Sequence, residues 1–277
     1  MKRRMMERKE IVEVTKKKSA AGFWVAVIML VLFSIAATVG TFLGASDLNI
    51  GITAVRCAIS FGGIFAMAKL YGTDFRFKGK EVIKGLFTAS GLLFLAECVW
   101  NFIDAWKTPE IGFGQALPGV VIVLIWGSGV GLYEEALCRG ALFNTFRYRM
   151  GESRSGIVKS IVFSSLIFGC LHFGNLIDNP HLVVSTFTQV IYATLIGMTL
   201  ACIYYITDNI WVVSILHGLF DIAAVVMGCF VTSGAQVFGN QDMTILEAIK
   251  ASGVYAITAV IFFILLFREF KKRGIEE

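Results

Sequence analysis

The sequence predicts an all-α, polytopic membrane protein of about eight transmembrane helices with both termini on the cytoplasmic side. Three observations predict it. Of the 277 residues, 56% are hydrophobic and only 16% are charged, against about half and about a quarter in an ordinary soluble domain; the mean hydropathy is +0.74. The charges are clustered, and the runs between them reach the roughly 20 residues that a helix needs to cross about 30 Å of hydrocarbon. Only three prolines punctuate the chain, so long helices are seldom broken.

The spans fall at 22–45, 50–71, 82–105, 116–146, 156–177, 182–206, 209–231 and 251–268. The first follows a basic segment, residues 1–21. Its apolar stretch is longer than the h-region of a signal peptide and further spans follow, so it is an anchor. The second carries Arg56 and the fourth several charges, which blurs their limits. Between the second and third spans, TDFRFKGKEVIK (73–84) alternates basic and aromatic residues and is expected to lie at the inner interface. The outer loop at 232–250 is the longest, mostly polar, with a short amphipathic turn at 243–250. No repeat, low-complexity tract or separate soluble domain is expected, so 1–277 is a single membrane domain whose motif-bearing core is 116–231.

The loops fix the orientation, because cytoplasmic loops are enriched in lysine and arginine. With the N-terminus inside and eight spans, the inner segments hold every basic residue except Lys107 and Lys250 in outer loops and Arg56 and Arg139 within spans. The net charge of +5 therefore reflects topology. No basic stripe with interleaved aromatics points to a nucleic-acid partner. Six cysteines lie in apolar runs without a CxxC pair, so they form neither a disulfide framework nor a thiolate zinc site and are small reduced hydrophobes.

Ionisable side chains inside a membrane are costly, and each is a candidate functional residue. The fourth span contains Tyr133-Glu134-Glu135-Ala136-Leu137-Cys138-Arg139. Glu135 and Arg139 share a helix face at i, i+4, where they can pair. Glu134 points about 100° away, free to face a cavity. The fifth span carries Phe168-Gly169-Cys170-Leu171-His172 and the seventh His217-Gly218-Leu219-Phe220-Asp221. His217 and Asp221 again share a face. A buried Glu, two His and an Asp suit water activation: the carboxylate as base, imidazole sharing that role or stabilising an oxyanion. The same four, Glu134, His172, His217 and Asp221, could instead hold zinc with an open position for water, and the residues alone do not choose. The bland alternative is a buried ion-pair network joining helices. Trp126-Gly127-Ser128-Gly129-Val130-Gly131 has GxxxG spacing, which favours close helix packing. Cys138 and Cys170 lie beside the motifs, but nothing nearby activates a thiol.

The three motifs, EExxxR at Glu134–Arg139, FxxxH at Phe168–His172 and HxxxD at His217–Asp221, in that order on separate helices, resemble those of the CPBP intramembrane proteases, relatives of the type II CaaX prenyl endopeptidase, also called the Abi family. The resemblance covers about residues 116–231. It implies peptide-bond hydrolysis in a membrane cavity, with Glu134 as catalytic carboxylate and His172 its partner on the water. His217 and Asp221 would stabilise the oxyanion or help bind a metal, and Glu135 and Arg139 would position them. The last motif position is often Asn among the prenyl-protein enzymes and is Asp here, which weakens the implication of CaaX substrates. The expected setting is a bacterial cell membrane, with lipid around the protein and a peptide or membrane-protein substrate, prenylated or not. Competing readings are a non-catalytic scaffold that keeps the fold and a proton-coupled transporter, although no inverted repeat supports the latter. One placement is awkward: at about 1.5 Å per residue, His172 falls roughly 9 Å outward of the midpoint of its span, while Glu134 and His217 lie near mid-membrane.

Overall fold

A computed structural model describes residues 2–42, 48–234 and 242–275. Among the described residues there are helices and turns but no strand. The elements are α1 (Lys2–Phe42), α2 (Ile50–Tyr71), α3 (Gly79–Leu86), α4 (Ala89–Asp104) and α5 (Phe113–Glu135). A π-helical segment (Ala136–Phe143) joins α5 without a break to α6 (Asn144–Met150). Then follow α7 (Arg154–Leu171), a 3₁₀ turn (His172–Gly174), α8 (Asn175–Asp178), α9 (Val183–Thr207), α10 (Ile210–Val225), a second 3₁₀ turn (Val226–Phe230) and α11 (Ile245–Arg273).

Seven helices are long and apolar enough to cross a membrane, and an eighth if α3 and α4 together make one span. The chain is thus an integral, multi-pass membrane protein. The third span, expected as one helix over 82–105, is instead bent by 70° between α3 and α4. Thr88 explains the bend: its hydroxyl caps α4 by accepting from Gly91 N–H at 3.1 Å and donates back to the Gly85 carbonyl at 2.7 Å. On α3, Val82 and Gly85 are buried while Lys80, Glu81 and Ile83 are exposed, the pattern of a helix lying along an interface. The last helix starts at Ile245 rather than 251, capped by a reciprocal pair in which Thr244 and Glu247 bond each other's backbone. Of the outer loop expected at 232–250, residues 235–241 lie outside the described residues.

Burial follows the lipid-solvent pattern. The outward faces of α1, α2 and α11 show Trp24, Ile28, Phe65, Ile257 and Val260, all more than half exposed, while the interior holds Arg139 as the largest fully buried side chain. The tightest backbone approach is between α5 and α10. A Cβ on Gly131 would collide with the Ser214 carbonyl and Gly218 backbone, and one on Gly127 would meet Ile222 and the Gly218 carbonyl. The GxxxG spacing is therefore a packing device, and it sets the glutamates of α5 against α10.

The two ends of the bundle are tied separately. At one end, Tyr71 donates to the Lys18 carbonyl at 3.2 Å, Trp211 to the Phe75 carbonyl at 2.8 Å, and Arg154 to the Ile275 carbonyl at 2.6 Å. At the other, Glu110 N–H donates to the Phe230 carbonyl at 2.8 Å, and Asp242 accepts from Ser185 N–H at 2.7 Å. Four backbone and side-chain donors, from Val184, Ser185 and Met243, hold the Asp242 carboxylate.

Candidate active site

The site is assembled where α5 gives way to the π-helical segment. A π stretch has one extra residue per turn and often marks a functional site. Here it begins directly after Glu134-Glu135 and contains Arg139. Its loosened carbonyls are partly met by Asn144, whose amide donates to the Arg139 carbonyl at 3.0 Å, the Gly140 carbonyl at 3.1 Å and the Tyr204 hydroxyl at 2.9 Å.

Glu135 is the hub. It is 0% exposed, and its Oε1 accepts from Arg139 at 2.6 Å and faces His217 Nδ1 at 2.7 Å. Arg139, 1% exposed, also donates to the Gly197 carbonyl of α9 at 2.6 Å and stacks over the Phe168 ring at 5.4 Å. The expected i, i+4 pair thus exists, and one carboxylate ties α5, α9 and α10 together. Because Glu135 can only accept, His217 donates from Nδ1, which fixes its tautomer and turns Nε2 toward the remaining carboxylates. Nε2 lies 3.6 Å from Glu134 Oε2 and 3.8 Å from Asp221 Oδ2. The His217–Asp221 spacing read from the sequence therefore does bring the two side chains together.

Glu134 turns away from Glu135, as the helical wheel requires, into a cavity of about 420 Å³. Its wall includes Leu30, Phe33, Ser34, Ala37 and Thr38 of α1, Arg56 of α2, Tyr133, Leu137 and Cys138, and on the far side Phe168, Leu171, His172, Asn175 and Ile177. Glu134 and His172 share this cavity, whereas His217 and Asp221 do not line it and stand behind Glu134. The His172 Nδ1 is 3.2 Å from the Phe168 carbonyl. A carbonyl only accepts, so Nδ1 carries the proton and Nε2 keeps a lone pair. Both imidazoles meet the Phe168 ring edge-on, at 5.1 and 5.7 Å, so the FxxxH phenylalanine is the spacer between them. The span expected to run on as one helix to 177 is shorter: α7 ends at Leu171, and His172 opens the 3₁₀ turn that follows, at the end of the helix.

Two residues beyond the motifs complete the wall. Arg56 donates to the Tyr133 hydroxyl at 3.1 Å and to the Phe33 carbonyl at 3.4 Å, and its guanidinium lies over the Tyr133 ring at 5.1 Å. An arginine within a span is itself a functional signal; in the sequence it had registered only as a blurred boundary. Tyr133 gives no sequence signal of its own.

Zinc ligation needs three or four donors about 2.0–2.3 Å from one point. Among the described residues no three His, Cys, Asp or Glu side chains are grouped to hold a metal ion; His217 donates from Nδ1 to Glu135 and keeps Nε2 free. The chemistry derived for this site rests on Glu134, His172, His217 and Asp221 themselves.

Fold and site together define a polytopic membrane protein with a carboxylate–imidazole cluster opening on a cavity within the bundle. Residues 116–223 match the family described as type II CAAX prenyl endopeptidase Rce1-like. That stretch carries all three motifs, so over its motif-bearing core the chain is similar to this family. No curated protein matches the chain, and no solved structure does.

Proposed function

We propose that the protein is an intramembrane endopeptidase that cleaves peptide or membrane-protein substrates with a water molecule activated by Glu134 and His172. The observation that carries this reading is the cavity shared by these two side chains, with Glu135 and His217 packed behind Glu134.

In this mechanism a water in the cavity gives a proton to the Glu134 carboxylate, with His172 Nε2 accepting its second hydrogen bond. The water oxygen attacks the scissile carbonyl carbon. The tetrahedral intermediate collapses as the C–N bond breaks, and Glu134 returns the proton to the leaving amine, as general acid–base catalysis requires. Asp221 and His217 act through Glu134. His217, held at Nδ1 by Glu135, keeps its Nε2 against Glu134 and fixes the orientation of that carboxylate. Glu135 and Arg139 are positioning residues. Retention of the complete motif set, rather than a partial one, favours an enzyme over a scaffold.

The test compares processed peptides released from membranes carrying the intact protein and the Glu134→Gln form. The expected result is loss of a defined set of cleavage products while the variant remains inserted and melts at the same temperature. An unchanged product pattern overturns the assignment of Glu134.

A further inference from the structure

We infer that the cavity takes its substrate from the non-cytoplasmic side of the membrane, so that the scissile bond belongs to a segment anchored in or emerging from the outer leaflet. This rests on the proteolytic reading above and adds the side on which it operates. Two observations independent of the chemistry carry it.

The first is charge. The end of the bundle where Lys18, Tyr71, Phe75, Arg154, Ile206, Trp211 and Ile275 are tied together also carries Lys16, Lys17, Arg76, Lys78, Arg147, Arg149 and Arg273. The opposite end carries Asp104, Glu110, Asp242 and Glu247 against Lys107 and Lys250. Basic loops stay in the cytoplasm, so the acidic end faces out.

The second is where the cavity opens. Its α1 wall is Leu30–Thr38. Thr38 is twenty residues beyond Lys18, about 30 Å along a helix, which is a whole hydrocarbon thickness. Its other wall ends on Asn175 and Ile177, past the outer end of α7, and Arg56 lies in the second turn of α2, which starts at the acidic end. Among the described residues α1 packs chiefly on α2, the π segment and α6, and the cavity lies between α1 and the α7–α8 corner, both of which line it. At that mouth Thr38 is exposed and Ile177 is 83% exposed. At its inner end the gap is closed by the packing of α1 on α6 and of α6 on α7. A prenylated C-terminus on the cytoplasmic leaflet would lie on the closed side. The substrate class is instead a polypeptide that presents an extended segment to the outer leaflet, such as a translocated peptide or the outer flank of a membrane anchor.

The experiment is thiol labelling of the full-length protein in intact cells with a bulky membrane-impermeant maleimide, using single variants Thr38→Cys, Ile177→Cys, Lys107→Cys and Lys80→Cys against the unsubstituted chain. Expected is labelling of Thr38→Cys, Ile177→Cys and Lys107→Cys in intact cells, with Lys80→Cys labelled only after permeabilisation. Labelling at Thr38→Cys should also suppress the Glu134-dependent cleavage products. Labelling of Lys80→Cys from outside overturns the inference, as does failure of Thr38→Cys and Ile177→Cys to label under either condition. Sidedness and catalysis fail separately. The Glu134→Gln form should label identically, so an outward cavity without Glu134-dependent products refutes the protease, and an inward cavity with them refutes only the access route.

Discussion

The buried pair Glu135–Arg139 allows stability and activity to be separated. Removing Glu135 alone, as Glu135→Leu, leaves the Arg139 guanidinium 1% exposed with no carboxylate, and breaking one side of a buried pair costs about 3–5 kcal/mol. Replacing both, as Glu135→Leu with Arg139→Leu, removes the stranded charge, and such apolar replacements are often neutral. What remains is the lost acceptor of His217 Nδ1, held at 2.7 Å in the intact protein, a buried unmade hydrogen bond of about 1–3 kcal/mol. Both variants lose that acceptor, so it cancels between them, and the double variant should be more stable than the single one by about 3–5 kcal/mol, the cost of the stranded charge. Its activity should not recover, because His217 has lost the partner that orients it; a decrease of about 10–100-fold is the scale for such second-layer partners. Thermal unfolding in detergent and Glu134-dependent product release provide the two readouts. A double variant as unstable as Glu135→Leu, or one that cleaves normally, would refute the hub role of Glu135.

Gly131→Ala should destabilise by about 1–3 kcal/mol, the usual cost of overpacking, because its Cβ meets the Ser214 and Gly218 backbone rather than a movable side chain; a melting temperature equal to that of the intact protein would contradict this close approach. His172→Ala should abolish product release with little change in stability, since His172 lies in a partly exposed turn beyond α7; retention of cleavage would remove it from the water-activating pair. Asn144→Ala should cost about 1–3 kcal/mol by unpairing the carbonyls of Arg139 and Gly140, measured by thermal unfolding with product release as a second readout. Treatment with a chelator should leave product release unchanged, and loss of activity that is restored by added zinc would establish a metal-dependent route.

The sequence by itself determined the solvent and the motifs. Long uncharged runs can be stable only in lipid, so the spans were legible from hydropathy, and the i, i+4 spacings of Glu135–Arg139 and His217–Asp221 follow from helix geometry within one segment. The bend at Thr88 was not legible, because the 82–105 stretch is apolar enough to be one helix and a single hydroxyl bonding in both directions breaks it. The end of α7 at Leu171 was hidden in the same way, since hydropathy continues through Ile177 while the backbone turns. Only the tertiary structure decided that Glu135 serves Arg139 and His217 at once, that Glu134 and His172 share a cavity while His217 and Asp221 stand behind it, and that Arg56 forms part of the wall. These are contacts between helices far apart in the chain, set by how closely the glycines of α5 let α10 approach, and no periodicity within one segment encodes that distance.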